Sequence, residues 1–208
     1  MNLRPWTIPN LLTLTRLAAL PFLIVAILEG RHGTALVIFL AASITDIVDG
    51  YLARRFEMGS PLGAYLDPIA DKLFLVSTFV VYTIPSTPTR IHVPVWLLVM
   101  TIFRDVFILV VALLMLLALN IRSFPPSAIG KATTFFEIAT IVAILLNNVD
   151  RMPAAVAVTG FWLVAALTTV SGFHYIWRFA RSQAKERAAP LLTPPPASVE
   201  NRGPSERA

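Results

Sequence analysis

The chain predicts an all-α integral membrane protein with six transmembrane helices and both termini in the cytoplasm. Three observations carry that expectation. Of its 208 residues 56% are hydrophobic and 14% charged, and the mean hydropathy of +0.72 exceeds what a soluble domain of this size needs for its core. Apolar runs of spanning or near-spanning length recur along the sequence. Basic residues are unevenly divided. With the N-terminus in the cytoplasm, thirteen of the seventeen Lys and Arg fall on that side, Arg31, Arg90 and Arg151 on the other, and Arg104 inside a span, the asymmetry that orients a membrane protein.

The first apolar run covers residues 8–28. Its residues 7–16 alternate polar and apolar at helical spacing, predicting a short interfacial lead-in helix before the purer run 17–28. Pro5, Pro9 and their polar neighbours do not fit the continuous apolar core of a cleaved signal. Further runs lie at about 34–54, 64–84, 93–119, 129–147 and 154–180. Short connections at 29–33 and 148–153 force antiparallel neighbours, whereas the longer, proline-containing segments 85–94 and 120–127 read as loops. From residue 182 the composition shifts to Ala, Pro, Ser, Glu and Arg, with Pro194, Pro195 and Pro196 in a row. Such a segment buries too little apolar surface to order itself, so residues 1–181 are expected to form one membrane domain and 182–208 a disordered Pro-rich tail. Cysteine is absent, which removes disulfides and thiolate metal sites. A net charge of +5 has no compact basic domain to carry it to nucleic acid, and anionic lipid headgroups account for it.

Two aspartate pairs, Asp46/Asp49 and Asp67/Asp71, interrupt the second and third runs. A carboxylate near a membrane centre costs roughly 2.5–3.5 kcal/mol on insertion scales, so four of them require a compensating charge or a polar cavity. Spacings of three and four put each pair on one helix face. In an antiparallel hairpin turning near Met58, Asp46 comes level with Asp71 and Asp49 with Asp67. At about 1.5 Å per residue, Asp46 lies roughly 12 Å below Arg54. Gly50, Ala53 and Gly63 remove bulk beside the acids, which close helix packing alone also favours. Arg54 shares a face with Asp46 and can hold a phosphate by charge-assisted bonds; Arg55 reads as an interfacial anchor. Hard oxygen ligands without His or Cys favour Mg²⁺ or Mn²⁺, and four carboxylates can hold two such ions about 3.5–4 Å apart, the arrangement that clamps oxygens in phosphoryl transfer.

The pattern Asp46-x2-Asp49-Gly50-x2-Ala53-Arg54-x8-Gly63-x3-Asp67-x3-Asp71 resembles the signature of the class I CDP-alcohol phosphotransferases without a mismatch, and the resemblance covers about residues 5–180. It implies that Asp46, Asp49 and Asp67 are principal ligands of two Mg²⁺ or Mn²⁺ ions and that Asp71 combines metal contact with general base work. It also implies that Gly50, Arg54 and Ser60 hold the CDP diphosphate and nucleotide, and that Pro9 and Asn10, in the segment Ile8-Pro9-Asn10-Leu11, line the nucleotide pocket. The implied reaction is attack of an acceptor hydroxyl on the phosphorus of CDP-diacylglycerol that bears the lipid, releasing CMP, in a homodimer of a bacterial plasma membrane with its site facing the cytoplasm.

Arg104 and Asp105 fall deep in the fourth run. An internal ion pair to other helices is the ordinary reading, because neighbours in sequence do not face each other on a helix. Arg104 as a ligand of an acceptor phosphate is the functional one. Lys131 either snorkels or binds the acceptor. Gly130, Thr134 and Glu137 share its helix. The stretch resembles the Gly-Lys-x-Lys-Thr of the glycerophosphate-using branch, with Thr133 in place of the second lysine and Glu137 where both branches have glutamine. Thr168-Thr169-x-Ser171 with His174-Tyr175 resembles the last span of the cardiolipin synthases. The acceptor expected is therefore glycerol 3-phosphate or phosphatidylglycerol, with inositol phosphate or serine as alternatives. A cation transporter is the rival class, since intramembrane acids also mark ion pathways. An idle scaffold would not retain every motif position.

Overall fold

The computed structural model of the chain describes residues 8–55, 63–119 and 128–188, with side chains except at 8–10, 47, 49–55, 63–66, 112–119 and 178–188. Within these residues it is all-helical: α1 (Ile8–Leu28), α2 (His32–Arg55), α3 (Gly63–Thr83), α4 (Val95–Leu119), α5 (Ala128–Asn148) and α6 (Ala154–Ala188). Leu11–Leu28, Ala128–Asn148 and Ala154–Trp177 are long and apolar enough to cross a membrane, and α2 adds a shorter apolar segment, His32–Asp46. The outside of the bundle agrees with that reading. Phe22, Val37, Phe103, Leu109 and Phe173 are each at least 67% exposed, an apolar surface that belongs against lipid rather than water.

Two expectations about the elements need correction. The lead-in helix and the first span are one unbroken α1, because nothing between residues 10 and 20 breaks a helix. Pro21 removes one i→i−4 bond without ending it. The last helix runs to Ala188, past the expected start of the tail, since 182–188 is rich in Ala, Gln, Lys, Glu and Arg, all strong helix formers; residues 189–208 lie outside the described set.

The two short turns have the same construction. At the end of α1, Gly30 adopts φ 71°, and Gly30 and Arg31 donate to the carbonyls of Ile27 and Ala26 at 3.0 and 2.8 Å, a Schellman cap. At the end of α5, Asp150 takes the left-handed position at φ 59°, and Asp150 and Arg151 donate to Asn147 and Leu146 at 3.2 and 2.9 Å. Aspartate tolerates this conformation better than most residues, and Pro153 stands just after the cap.

Leu23, Ile27, Phe39, Leu97, Ile144 and Val164 are fully buried in a continuous core. Polar residues within the helices satisfy themselves locally. Ser43, Thr78, Thr101 and Thr140 each donate to the carbonyl four residues back, a bond that needs no external partner. α1 packs on both α2 and α3, α4 on α3 and α6, and α5 on α2, α3 and α6. The expected α2–α3 hairpin therefore differs in one respect: among the described residues the two backbones do not pack directly, and α1 lies against each. Side chains still meet across the gap, where Phe39 and Phe74 stack with centroids 5.5 Å apart.

Candidate active site

Thr13 and Arg16, three apart on α1, project from the face that α1 turns toward α2 and α3, and both are buried, Arg16 at 3% exposure. Arg16 places one guanidinium nitrogen 2.8 Å from the Asp46 carboxylate of α2 and the other on the Asp71 carboxylate of α3. Thr13 donates its hydroxyl hydrogen to Asp67. Asp46 and Asp71 thus come level, as antiparallel helices require, with a cation from a third helix between them. Both carboxylates remain well exposed, at 40% and 37%, while the arginine is covered.

Of the residues singled out from sequence, Asp46, Asp67 and Asp71 are brought together in this way. Asp49, Gly50, Arg54, Ser60, Pro9 and Asn10 lie outside the residues whose side chains are described. Among the described side chains no three acidic or His groups close on a single point; the two outermost aspartates meet at the guanidinium. The residues present nonetheless suit a divalent ion. Arg16 meets two carboxylates, Asp46 and Asp71, and Asp67 is held by the neutral Thr13 hydroxyl, so one cation stands among three described carboxylates before Asp49 is counted. The donors are hard oxygens, and they stay open on the side away from Arg16.

The nearest described lysine does not neutralise the surplus. Lys72, the residue after Asp71, turns to a second cluster, 2.7 Å from Asp105 and 3.8 Å from Glu137. In that cluster Arg104 reaches Asp105 at 2.8 Å and donates to the Ser171 hydroxyl at 2.9 and 3.3 Å. The expectation that Arg104 and Asp105 do not face each other is corrected: the long guanidinium folds back along its own helix, because deep in the bundle a carboxylate one residue away is the cheapest partner available. Among the described residues the cluster's formal charges balance, with Lys72 and Arg104 matching Asp105 and Glu137. Arg104 also borders an apolar groove of about 240 Å³ between α4 and α6, lined by Phe103, Phe107, Thr168, Phe173 and Ile176 among others. Lys131 is exposed near the start of α5. Thr133 is buried and donates to the Ile129 carbonyl at 2.9 Å, so the place of the missing lysine faces the bundle interior.

Sequence reasoning missed Thr13 and Arg16. Arg16 was available as a signal, an arginine eight residues into an apolar helix, but it counted only toward orientation. Arg16 and Lys72 pair with acids inside the bundle, so the asymmetry of basic residues read from sequence becomes eleven against three rather than thirteen against three.

Helices that gather intramembrane carboxylates occur in metal-dependent membrane enzymes and in ion pathways alike, and comparison with known proteins selects the enzyme. Residues 6–170 match the family model of the CDP-alcohol phosphatidyltransferases, and the chain belongs to that family, whose members generally use divalent metal ions. It is 33% identical to a cardiolipin synthase (CMP-forming) of Streptomyces coelicolor over 80% of this chain and 77% of that one. It is 30% identical to the CDP-diacylglycerol–glycerol-3-phosphate 3-phosphatidyltransferase of Bacillus subtilis over 82% and 93%. A cardiolipin synthase (CMP-forming) of Rattus norvegicus is 29% identical over 85% of this chain, which spans only 62% of the rat protein.

Proposed function

We propose that this chain transfers a phosphatidyl group from CDP-diacylglycerol to a glycerol-type alcohol, glycerol 3-phosphate or phosphatidylglycerol, and releases CMP. The observation that carries this reading is the excess of carboxylate where α1 places Arg16 against Asp46 and Asp71 and the neutral Thr13 against Asp67. The names of the relatives from Streptomyces and Bacillus support it. Asp46, Asp49, Asp67 and Asp71 would hold a pair of Mg²⁺ or Mn²⁺ ions, which would supply Lewis acidity toward the diphosphate.

Asp71 accepts the proton of the acceptor hydroxyl. That oxygen bonds to the phosphorus carrying the diacylglycerol, and the bond from this phosphorus to the bridging oxygen breaks, so CMP leaves with that oxygen. A half-exposed carboxylate at the rim of the site is placed for such proton transfer, which depends on geometry first and basicity second. Pro9, Asn10, Gly50, Arg54 and Ser60 hold the nucleotide and its diphosphate. On the acceptor side, Lys131 is free to reach a headgroup, and Arg104 contributes by exchanging Ser171 for a phosphate oxygen. The six helices all span, with both termini in the cytoplasm, in a homodimer of a bacterial plasma membrane.

The test is CMP release by the purified full chain in detergent with CDP-diacylglycerol and Mg²⁺, offering glycerol 3-phosphate, phosphatidylglycerol, inositol 1-phosphate and serine separately. CMP formed with either glycerol compound is the expected result. Release with serine alone overturns the acceptor class, and no release with any acceptor alongside cation movement in vesicles overturns the enzyme.

A further inference from the structure

Arg16 occupies an unusual place for a buried cation. Its two terminal nitrogens are divided between carboxylates on two different helices, Asp46 and Asp71, whose backbones do not pack on each other among the described residues. Those are the oxygens a divalent ion would use. We propose that Arg16 is a built-in counter-cation: it holds the two aspartates level while no metal is bound, and it competes with the incoming ion for the same oxygens. This rests on the reading of the aspartates as metal ligands.

The physical case has three parts. Carboxylates brought level on two helices repel, and without a charge between them α2 and α3 would splay. A guanidinium presents its donors in a rigid planar fork and so fixes the spacing between two carboxylates, which the compact, freely rotating ammonium of lysine does not. It is buried while the acids are open, so an ion approaches from the exposed side and meets oxygens already partly neutralised. Each metal–oxygen contact then weakens a contact to Arg16. The arrangement trades metal affinity for a preassembled site. Thr13 holds Asp67 without a charge, so among the described contacts the competition falls on Asp46 and Asp71.

The experiment compares wild type, Arg16→Gln and Arg16→Lys as full chains in detergent, measuring Mn²⁺ binding by titration calorimetry and thermal unfolding with and without Mn²⁺. Removing a positive charge beside the ion should tighten Mn²⁺ binding of Arg16→Gln by about tenfold or more, while its metal-free Tm falls below wild type and the gap closes when Mn²⁺ saturates. Arg16→Lys, which keeps the charge and loses the fork, should bind Mn²⁺ as wild type does but show the lowered metal-free Tm; it carries the test if Arg16→Gln does not fold, since tighter binding by Arg16→Lys than by wild type then overturns the proposal. Unchanged or weaker Mn²⁺ binding by a folded Arg16→Gln, or an equal Tm loss with and without metal, overturns the counter-cation role and leaves the metal site standing. Wild type that binds no Mn²⁺ at millimolar concentration overturns both, so the two failures are distinct.

Discussion

The two ends of the helix bundle hold themselves together by opposite means. At the end formed by the turns after α1, α3 and α5, neutral groups and one exposed ion pair tie loop to loop. His32 lies 2.6 Å from the Pro88 carbonyl and 3.5 Å from the Tyr82 hydroxyl, so its Nε2–H donates to the carbonyl. Asn148 accepts from the Arg90 backbone N–H at 2.8 Å and donates to Thr89 at 2.9 Å, and Arg90 forks onto Asp150. Trp96 and Trp162, half-exposed and exposed with rings 5.6 Å apart, sit near this end where amphipathic rings favour the membrane surface. Roughly 18–21 Å away along α1, α2 and α3, taking 1.5 Å per residue, the order is reversed: charged groups meet inside the bundle, like charges outnumber unlike, and the acids stay open. One end is tied together by paired groups, with the Asn147 side-chain oxygen left over. The other keeps an excess of carboxylate open at its surface, an arrangement that stability alone would remove.

This contrast can be broken from either side. The largest effect is expected at the acid end: Asp71→Asn should lower CMP release by on the order of 10²–10⁴-fold, the usual contribution of a general base, with little change in Tm because Arg16 keeps Asp46. A large fall in Tm with a small fall in rate would reverse the assignment of the two ends.

Next comes packing on the closed side. A Cβ on Gly160 would lie 2.6 Å from the Thr140 hydroxyl oxygen, so Gly160→Ala should cost about 1–3 kcal/mol by overpacking. Adding Thr140→Ala should recover most of it, as thermal unfolding of the single and double variants would show.

His32→Phe leaves the Pro88 carbonyl without its donor and should cost about 1–3 kcal/mol, with CMP release per folded molecule unchanged. If activity fell with stability, the ends would be coupled rather than separate.

The smallest effect belongs to Asp150→Asn, which keeps a residue tolerant of the left-handed position and removes the charge. The hydrogen bond from Arg90 holds the Asp150 carboxyl below its ordinary value. A depressed folded-state value means that the pair stabilises above the unfolded-state value and that this contribution disappears as pH falls through the folded one. The Tm difference between wild type and Asp150→Asn should therefore be small at neutral pH and vanish on acidification below the ordinary carboxylate range. A gap that persisted there would assign the effect to the turn and not to the charge.

Helix positions were legible because apolar runs bounded by Gly, Pro and charged turns leave few alternatives in a membrane. Asp46 and Asp71 were legible as partners because antiparallel geometry fixes which residues share a level. Neither Arg16 nor the Lys72–Asp105–Glu137 cluster could be found that way, since spacing along one helix says nothing of which third helix faces it. Arg104 shows the same limit at shorter range: its nearest carboxylate is its neighbour in sequence, reached only because the surroundings offer Ser171 on one side and apolar groove on the other.

The sequence by itself determined that this is a helical membrane protein with acids where acids are costly, because hydrophobic run length and the expense of intramembrane charge are properties of single segments. Only the tertiary structure decided what stands among those acids. α1 lies against both α2 and α3, and a charge can choose its partner only once long-range packing has brought the candidates within reach.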